Sequence, residues 1–551
     1  MSDPVTGRVA RRARRMEYAC VTLLPALVTA GRFWNGFVFD DVYVIMHGTF
    51  IHDSANLPLV FTRHTMVASS LDQAVGHPPL DTYRPVPLLT FFWDAWLSGQ
   101  RPWAYHLTNM VLHAVCCALL LALLRRLVPR LPSVTRAALA CMFGLSPWLS
   151  EAHVWINGRS DPLMTSFLLL ATWAALTKPT LRSRAAVFGG CLLALLAKEV
   201  AVLALPFVVL APFWARGECD ALPEQRLSWR SFGAVLLSPT LALLVYLGMR
   251  MAALRGLRTH DDGAQLLAAL SHLPVLWADG LYRALVPGGY VLRSLRDDYA
   301  GLGVSVVALS VLVCIGGVTL GTMSRRRAPL VGFGLAWFAF TLSPVALIST
   351  VLWPGFGRYL YLPTVGLVLA LAGGLEALVA LRPALRRVAL GLPVLVCLLS
   401  APLLAFATTV YHDDEGLYLE ALARAPEQAW THGFLGLHYR REGECQRAIP
   451  LLAHADQLDS TDARYLTSLG HCLVETHQFD AALAVGREGE RRFRDTRQEA
   501  AFLFIQAVCL PPPELDRIEQ LLTRCLVVYP GRQDCADALE QARALRGRAA
   551  P

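Results

Sequence analysis

Long apolar stretches separated by short basic loops dominate the chain up to about residue 410, and after that point they stop. A run of about 20 apolar residues crosses the roughly 30 Å hydrocarbon core of a bilayer as an α-helix. The pattern therefore predicts a polytopic helical membrane domain over residues 1–410. Spans are predicted near residues 17–34, 104–124, 137–156, 162–177, 231–251, 301–321, 328–350, 359–380 and 388–410.

Two further apolar segments decide how often the chain crosses the membrane. The run 185–215 is too long for one upright helix and has Lys198 and Glu199 at its middle. Because a charge at the bilayer centre costs about 2.5–3.5 kcal/mol, two short helices that leave both charges at a surface are predicted. The stretch 85–97 is too short for a span and contains Asp94, which indicates an interfacial or re-entrant helix. The total becomes about 11 transmembrane helices.

The distribution of charge sets the orientation. The chain has 551 residues, of which 55% are hydrophobic and 17% charged, with a net charge of +8, and this balance excludes an ordinary soluble enzyme. Cytoplasmic loops collect Lys and Arg, so the basicity indicates topology rather than a nucleic-acid partner. If the segment 185–215 forms two helices, all of the basic clusters along the chain lie on the same side of the membrane as the basic N-terminus. The clusters are Arg125/Arg126/Arg130/Arg136, Lys178/Arg182/Arg184, Arg216/Arg226/Arg230, Arg325/Arg326/Arg327 and Arg382/Arg386/Arg387.

A 34-residue repeat appears in the tail, residues 411–551. Leu435 and Gly436 recur as Leu469 and Gly470, and Ala448 recurs 34 positions later in the same way. This period and pattern of small and large residues are typical of the tetratricopeptide repeat (TPR), a helix pair that stacks into an α-solenoid. Units are predicted near 429–462 and 463–496, with a degenerate unit near 499–532. The overall fold class is therefore all-α, and the repeats are expected to bind a protein partner.

Most of the unusual polar residues fall on the predicted outer side. The first outer loop, 35–103, begins with F-V-F-D-D at residues 37–41. In the span that starts near residue 104, spacings of three, four and seven place His106, Asn109 and His113 on one helical face, directed into the bundle. Further polar residues on this side are Asp40, Asp41, Arg84, Glu151, Arg159, Asp161, Lys198, Glu199 and Arg358.

Each of these signals also has a purely structural interpretation. The histidines are more often interhelical hydrogen-bond formers, Arg358 at a helix start is able to snorkel to head groups, and an acidic pair is common at a span boundary. Structural ion pairs are the alternative for Arg159 with Asp161, and for Lys198 with Glu199. Their convergence favours a site for a substrate with an anionic head and a lipid tail, in which a carboxylate acts as general base and cations hold a phosphate.

The chain resembles a known family, the transmembrane and tetratricopeptide repeat-containing proteins, within the multi-pass GT-C glycosyltransferases. The matching segments occur in the family's order and are followed by the repeats. They are F-V-F-D-D at 37–41, Y-R-P at 83–85, W-A-Y-H-L at 103–107 with Asn109 and His113, residues 151–161, A-K-E at 197–199 and R-Y-L-Y-L-P at 358–363. Ser146 before Pro147 and His153 depart from the family pattern.

The resemblance implies a function and a set of roles. It implies inverting transfer of a sugar, typically mannose, from a polyprenyl-phosphate carrier to a hydroxyl of an exported protein. Asp40 or Asp41 would be the catalytic base, and the two remain undistinguished. Arg358, with Arg159 or Lys198, would bind the donor phosphate. Substrate positioning would fall to Arg84, His106, Asn109, Glu151 and Asp161.

These expectations extend to cofactors, location and a rival function. The chemistry requires no metal, although Asp40 and Asp41 would suit a divalent ion. The expected location is a bacterial inner membrane, with a cytoplasmic N-terminus, periplasmic repeats, a lipid-linked sugar donor and an acceptor protein as partners. The alternative function is a non-catalytic, membrane-anchored TPR scaffold that assembles periplasmic proteins.

Overall fold

The computed structural model describes residues 4–65, 82–214, 229–254, 263–288, 299, 302–348 and 357–549. These residues are helical, with no β-strand among them. They form two compact units, of which one ends at Asp413 and the other begins at Asp414. Arg216 and Arg226 of the predicted basic clusters lie outside the described residues, as does the 66–81 part of the first outer loop.

The membrane unit is built from helices of very different lengths. Those of ten residues or more are α1 Pro4–Val28, α2 Pro85–Ser98, α3 Trp103–Leu127, α4 Ser133–Gly144, α5 Ser160–Ala175, α6 Leu181–Ala197, α7 Leu205–Trp214, α8 Trp229–Leu254, α9 Gly263–Leu285, α10 Val304–Ser324, α11 Pro329–Leu342, α12 Tyr361–Leu381 and α13 Arg386–Thr409.

Six segments of the described chain are long and apolar enough to cross a bilayer by length and composition. They are Trp103–Leu127, Val235–Leu254, Val304–Ser324, Pro329–Leu347, Gly357–Leu381 and Pro383–Thr409. Each of them corresponds to a span predicted from the sequence, and the chain is a multi-pass membrane protein. Of the other predicted spans, 17–34 lies largely in a helix that begins with a basic segment, 162–177 lies in a shorter helix, and 137–156 does not form one helix.

Two local predictions are confirmed in the membrane unit. The apolar run 185–215 is divided where Lys198 adopts an extended backbone (φ −161°, ψ 129°), between α6 and a 3₁₀ turn that leads into α7. The short stretch that contains Asp94 forms the 14-residue helix α2, which begins with Pro85 at its first turn. Proline is favoured there because the first helical N–H groups have no intrahelical partner.

Two other local predictions are wrong. The predicted span 137–156 is not one helix, because α4 ends at Gly144 and Pro147 begins a 3₁₀ turn. Proline lacks the N–H that would continue the helix. The sequence analysis also missed α9, whose apolar positions are interrupted by Asp279 and Arg283. These two side chains form an ion pair at 2.9 Å, and α9 packs against α10 and α11.

Basic residues and the polar motifs lie at opposite ends of the same helices. Glu17 in the middle of α1 contacts Arg125 at the end of α3, and Glu376 near the end of α12 accepts the backbone N–H of Arg130 at 3.1 Å. The other end of α3 carries His106, and the other end of α12 follows Arg358. A 25-residue helix such as α3 is about 37 Å long, enough to separate two membrane faces.

A seam of small residues joins α11 to α12. A Cβ atom on Gly334 would lie 2.2 Å from the carbonyl oxygen of Gly366, and one on Gly366 would lie 2.6 Å from that of Gly334. Small residues at such contacts let helix backbones approach closely in membranes, where packing rather than the hydrophobic effect drives association. The seam therefore fixes α12 against α11.

The tail is a TPR-type solenoid whose helices pack in antiparallel pairs. The glycines that carry the 34-residue period are contact points, since a Cβ atom on Gly436 would lie 2.8 Å from Leu452 Cγ and one on Gly470 would lie 2.7 Å from Ile505 Cδ1. The helices are α14 Asp414–Arg424, α15 Ala429–Arg441, α16 Cys445–Leu458, α17 Ala463–Glu475, α18 Phe479–Arg492, α19 Glu499–Cys509, α20 Leu515–Val528 and α21 Gln533–Ala549.

Two disulfides cross-link neighbouring helices of the tail. Cys445 at the start of α16 is bonded to Cys472 in α17, and Cys525 in α20 is bonded to Cys535 in α21. Of the five tail cysteines this leaves Cys509 as a free thiol.

The α11–α12 seam gives a direct test of packing. We expect Gly334→Leu to destabilise the membrane unit by about 1–3 kcal/mol or more, because the new side chain meets backbone atoms that have no room to move. The thermal unfolding midpoint of the purified protein in detergent measures this. Gly316→Leu on α10 is the matched control, since a Cβ atom there has no neighbour within 4 Å among the described residues. Equal midpoints for the two variants would contradict the role given to the seam.

Candidate active site

Residues 37–41, here called the acidic loop, follow α1 and hold Asp40 and Asp41 in different environments. Asp41 is buried, and its carboxylate accepts the backbone N–H of Asn157 at 2.9 Å and that of Val38 at 3.4 Å. Asp40 is half-buried. Phe39, directly before this pair, has a φ of 56°, which is uncommon for a residue other than glycine. The turn therefore places one carboxyl group in a buried position and the other in a half-buried one.

Burial dominates the protonation of Asp41. It raises the pKa of this carboxyl well above the ordinary value, and the charge of Asp40 acts in the same direction. The backbone N–H groups of Val38 and Asn157, and the charge of Arg159, lower the pKa but do not compensate for burial. Asp41 therefore takes up a proton at a higher pH than an exposed aspartate does.

Arg32 lies between α1 and the acidic loop and holds this part of the chain in place. It was not among the residues predicted for the site. Its buried guanidinium donates to the backbone oxygens of Thr29 at 3.0 Å and His153 at 2.8 Å, and it lies 3.2 Å from His153 Nδ1. Among the described residues no carboxylate lies within ion-pair distance of Arg32. A lone arginine at the end of an apolar run was the only sequence signal. Arg32 thus ties the end of α1 to the segment that contains Glu151.

Trp155 connects the acidic loop to Arg358. Its indole N–H donates to the carbonyl oxygen of Val38 at 3.2 Å, and its ring makes an edge contact with Phe39 at 5.7 Å. The guanidinium of Arg358 lies 4.9 Å from the centre of the same ring. The charges of Arg358 and Asp40 are close enough to interact. One buried aromatic side chain therefore sets the spacing between an acidic residue and a basic residue.

Arg159 forms its ion pair with a residue of α2. Its Nη1 atom lies 2.5 Å from Asp94 Oδ2, its Nη2 donates to the carbonyl oxygen of Tyr105 at 3.0 Å, and its guanidinium lies 4.2 Å from the ring centre of Phe91. Both members of the ion pair are fully buried. The proposed pairing of Arg159 with Asp161 is therefore wrong, because Asp94 on α2 is the partner.

Three more cations lie in a group that we call the cation cluster, formed by Arg84, Lys198 and Arg358. Arg84 forms a two-bond ion pair with Glu199, at 2.8 and 2.5 Å. Lys198 Nζ lies 2.7 Å from both carboxylate oxygens of Asp161, so the alternative pairing of Lys198 with Glu199 is also wrong. The side chains of Lys198 and Glu199 point in different directions because the backbone at Lys198 is extended, and successive side chains of an extended segment lie on opposite faces.

Arg358 contacts Glu151 through both its side chain and its backbone. Its Nε atom is 3.6 Å from Glu151 Oε1, beyond hydrogen-bond distance, while Glu151 Oε2 accepts the backbone N–H of Arg358 at 3.3 Å. Its Nη2 donates to the hydroxyl of Tyr359 at 3.1 Å. Both Arg358 and Glu151 are buried.

The polar stripe of α3 is buried, as predicted, and it holds the surrounding segments together. His106 Nε2 donates to the carbonyl oxygen of Asn35 at 3.2 Å, and the Asn109 amide donates to that of Trp155 at 2.9 Å. His113 donates to the carbonyl oxygen of Gly144 at 3.0 Å, so its other nitrogen accepts from a tyrosine hydroxyl at 2.6 Å. These contacts position the acidic loop and the segment 151–161 from one side.

The predicted site residues thus fall into two adjoining groups. One contains the acidic loop, Arg159 and the stripe, and the other contains the cation cluster with its carboxylates. Trp155 connects them. Within the described residues, no group of three or more His, Cys, Asp or Glu side chains is arranged to hold a metal ion.

This combination defines a class: multi-pass helical membrane proteins with a buried, charged site and a TPR tail. The resemblance to the transmembrane and tetratricopeptide repeat-containing proteins is confirmed by sequence comparison, since the relatives found carry that family's names. No family model matches the chain.

Three relatives illustrate the similarity. "Protein O-mannosyl-transferase TMTC3" of Homo sapiens is 32% identical over 162 residues, which cover 29% of this chain and 17% of that protein. "Protein O-mannosyl-transferase TMTC1" of Homo sapiens is 28% identical over 142 residues, 26% of this chain and 16% of that protein. "Protein O-mannosyl-transferase F38B6.6" of Caenorhabditis elegans is 25% identical over 200 residues, 36% of this chain and 28% of that protein. The chain therefore matches a quarter or less of the two human proteins.

Among solved structures, the "Crystal structure of APC/C hetero-tetramer Cut9-Hcn1" aligns with 86% of this chain and 91% of that chain. The TM-score is 0.23 and the sequence identity 16%. A score of this size carries no argument about the present fold.

The buried pair of Asp161 and Lys198 gives a test of the site's architecture. We expect Asp161→Asn to destabilise the protein by about 3–5 kcal/mol, because it leaves a buried ammonium without its carboxylate beside two other cations. The double variant Asp161→Asn with Lys198→Met removes both charges and should recover most of the loss. Thermal unfolding in detergent measures the difference. A double variant as unstable as the single one would show that the pair is not the cause.

Proposed function

We propose that this protein is a membrane glycosyltransferase that moves a sugar, mannose or another hexose, from a polyprenyl-phosphate donor to a hydroxyl of an exported protein. The observation that carries the proposal is the placement of an accessible carboxyl group, Asp40, near Arg358, with Trp155 between the two chain segments. The relatives' printed name, protein O-mannosyl-transferase, supports the same reaction class.

The proposed reaction is a single displacement with inversion. The acceptor oxygen attacks the anomeric carbon, its proton passes to Asp40, and the bond from that carbon to the phosphate oxygen breaks. The electron pair of this bond stays on the lipid phosphate, and Arg358 and the rest of the cation cluster neutralise the charge. Fixed positive groups aimed at developing negative charge are an effective form of electrostatic catalysis.

The environments of the two aspartates support a division of roles. Both carboxylate oxygens of Asp41 accept backbone N–H groups, and the side chain is 1% exposed. A group held in this way is suited to fix the acidic loop, whereas the half-buried Asp40 is suited to accept a proton from an incoming hydroxyl. We therefore propose Asp40 as the base and Asp41 as its positioning residue. Because Arg159 is committed to Asp94, we propose that it holds the site together rather than binding phosphate.

The location remains a proposal: a bacterial inner membrane with the N-terminus in the cytoplasm and the repeats in the periplasm. The contact of Glu17 with Arg125 supports placing the basic clusters and the N-terminus on one face. The two disulfides of the tail support an oxidising compartment for the repeats, because disulfides persist in the periplasm and are rare in the cytosol. We propose that the repeats bind the acceptor protein.

The division of roles predicts different losses for the two aspartates. We expect Asp40→Asn to reduce sugar transfer by at least about 100-fold, since general-base catalysis is typically worth 10²–10⁴-fold. Asp41→Asn, which keeps one side-chain acceptor for the backbone, should lose less. Transfer is measured by mass spectrometry of periplasmic proteins and with purified enzyme and a polyprenyl-phosphate-linked sugar. Unchanged transfer by purified Asp40→Asn would overturn the role of Asp40 as the base. Absence of transfer by the purified wild type, with periplasmic glycosylation unchanged in the variant, would favour the non-catalytic scaffold.

The rate–pH profile provides the control for Asp41. Because its pKa is raised, Asp41 loses its charge at a higher pH than an exposed aspartate does. As the solution is acidified, we therefore expect the wild-type rate of sugar transfer to begin to fall at a higher pH than an exposed aspartate would cause. In Asp41→Asn this fall should move to lower pH, because the group that titrates is gone. An unchanged acid limb would exclude a contribution from Asp41.

The topology predicts which cysteines an impermeant thiol reagent reaches. Cys445 and Cys535 are in disulfides and are poor probes without reduction, so new cysteines at exposed positions are preferable. In intact spheroplasts we expect labelling of Asp480→Cys in α18 and no labelling of Arg326→Cys after α10 until the cells are lysed. The reverse pattern would place the repeats in the cytoplasm.

A further inference from the structure

Tyr359 lies inside the cation cluster, and neither the sequence analysis nor the proposed mechanism gives it a role. Its hydroxyl accepts a hydrogen bond from Arg358 Nη2 at 3.1 Å, and the ammonium of Lys198 lies 4.9 Å from the centre of its ring. Arg84 is close enough for its charge to act on the same phenol. Two cations therefore contact this tyrosine and a third acts on it from farther away, as do the carboxylates of Glu151 and Asp161.

The tyrosine hydroxyl retains a hydrogen that it can donate. In the described part of the chain its oxygen accepts from Arg358, and no acceptor for its own O–H is present. A phenol is both donor and acceptor, so it is able to pass a hydrogen bond from the guanidinium to a further anion. The side chain is half-buried rather than sealed, which leaves one part of it accessible.

The ion pairs of the cation cluster differ in how firmly they are held. The contacts of Arg84 with Glu199 and of Lys198 with Asp161 are 2.8 Å or shorter. The contact of Arg358 with Glu151 is 3.6 Å, and Glu151 is turned toward the backbone N–H of Arg358. Meanwhile Trp155 and Tyr359 support the guanidinium plane at 4.9 and 5.0 Å. Arg358 is thus oriented by two rings, and its guanidinium lies beside the hydroxyl of Tyr359.

We infer that Tyr359 binds the phosphate of the substrate, donating its hydroxyl hydrogen to a phosphate oxygen that Arg358 also contacts. This inference rests on the proposed function and adds a named ligand to it. Guanidinium groups bind phosphate through parallel N–H donors, and a neighbouring O–H donor adds a short, directional contact. The negative charge on the phosphate grows as the sugar leaves, so the same hydrogen bond strengthens during the reaction.

A binding measurement tests the inference without requiring turnover. The full-length protein in nanodiscs is titrated with a polyprenyl phosphate, with the corresponding polyprenol and with inorganic phosphate. We expect the wild type to bind the polyprenyl phosphate and not the polyprenol. Tyr359→Phe removes only the hydroxyl and should weaken binding by about 10–100-fold, the usual range for one hydrogen bond to a charged group. Tyr282→Phe, whose side chain is 59% exposed and makes none of these contacts, should bind as the wild type does.

The outcomes separate the inference from the proposed function. Equal affinity of Tyr359→Phe and wild type for the polyprenyl phosphate would overturn the role of Tyr359, even in an enzyme that transfers sugar normally. Weakened binding by Tyr359→Phe in a protein without transfer activity would support the phosphate site and overturn the reaction. Inorganic phosphate that competes as well as the lipid would assign recognition to the phosphate alone. A thermal midpoint within error of wild type, measured without ligand, shows that Tyr359→Phe is folded.

Discussion

Charge compensation inside the membrane unit is the constraint on which the site depends. Hydrocarbon offers no water to a buried ion, so each charged side chain needs a partner within the protein. Asp94 with Arg159 and Asp161 with Lys198 meet this need through short contacts between helices and loops that are distant in sequence. Breaking such a pair costs more than forming it gains. The network therefore fixes the arrangement of segments as much as it stabilises them.

Asp40 and Arg358 differ from these two pairs in their surroundings. Asp40 is half-buried after a turn in which Phe39 has a positive φ, and Arg358 lies against two aromatic rings with Glu151 at 3.6 Å. Sparsely populated backbone conformations cluster at functional sites. The rest of the polar network, including the stripe on α3 and Arg32, consists of hydrogen bonds that hold these two residues in place.

The sequence predicted the elements of the membrane unit better than the contacts between them. Apolar length and proline position were enough to predict α2 and the break at Lys198, because both follow from local geometry and the cost of burying charge. The ion-pair partners predicted for Arg159 and Lys198 were wrong, because proximity in sequence says little about which side chains meet in three dimensions. Helix α9 was missed since Asp279 and Arg283 interrupt its apolar pattern, although their spacing of four residues is one at which opposite charges pair on a helix.

Trp155 and Tyr359 were overlooked for a related reason. Both residues lie in segments that match the resembled family, but aromatic residues near a predicted membrane boundary are common as interfacial anchors, so neither of them was assigned a role from the sequence. Only the structure shows one ring between an acidic loop and a guanidinium, and one phenol in contact with two cations. In contrast, the 34-residue period of the tail was informative because its glycines are contact points within a regular stack.

The glycine seam between α11 and α12 has a consequence for the position of the site. Arg358 and Tyr359 stand directly before α12, so their position along the bundle depends on how α12 packs against α11. A larger residue at Gly334 or Gly366 would displace α12 and, with it, the residues that precede it. Two residues that carry no functional group therefore help to decide where the guanidinium and the phenol lie.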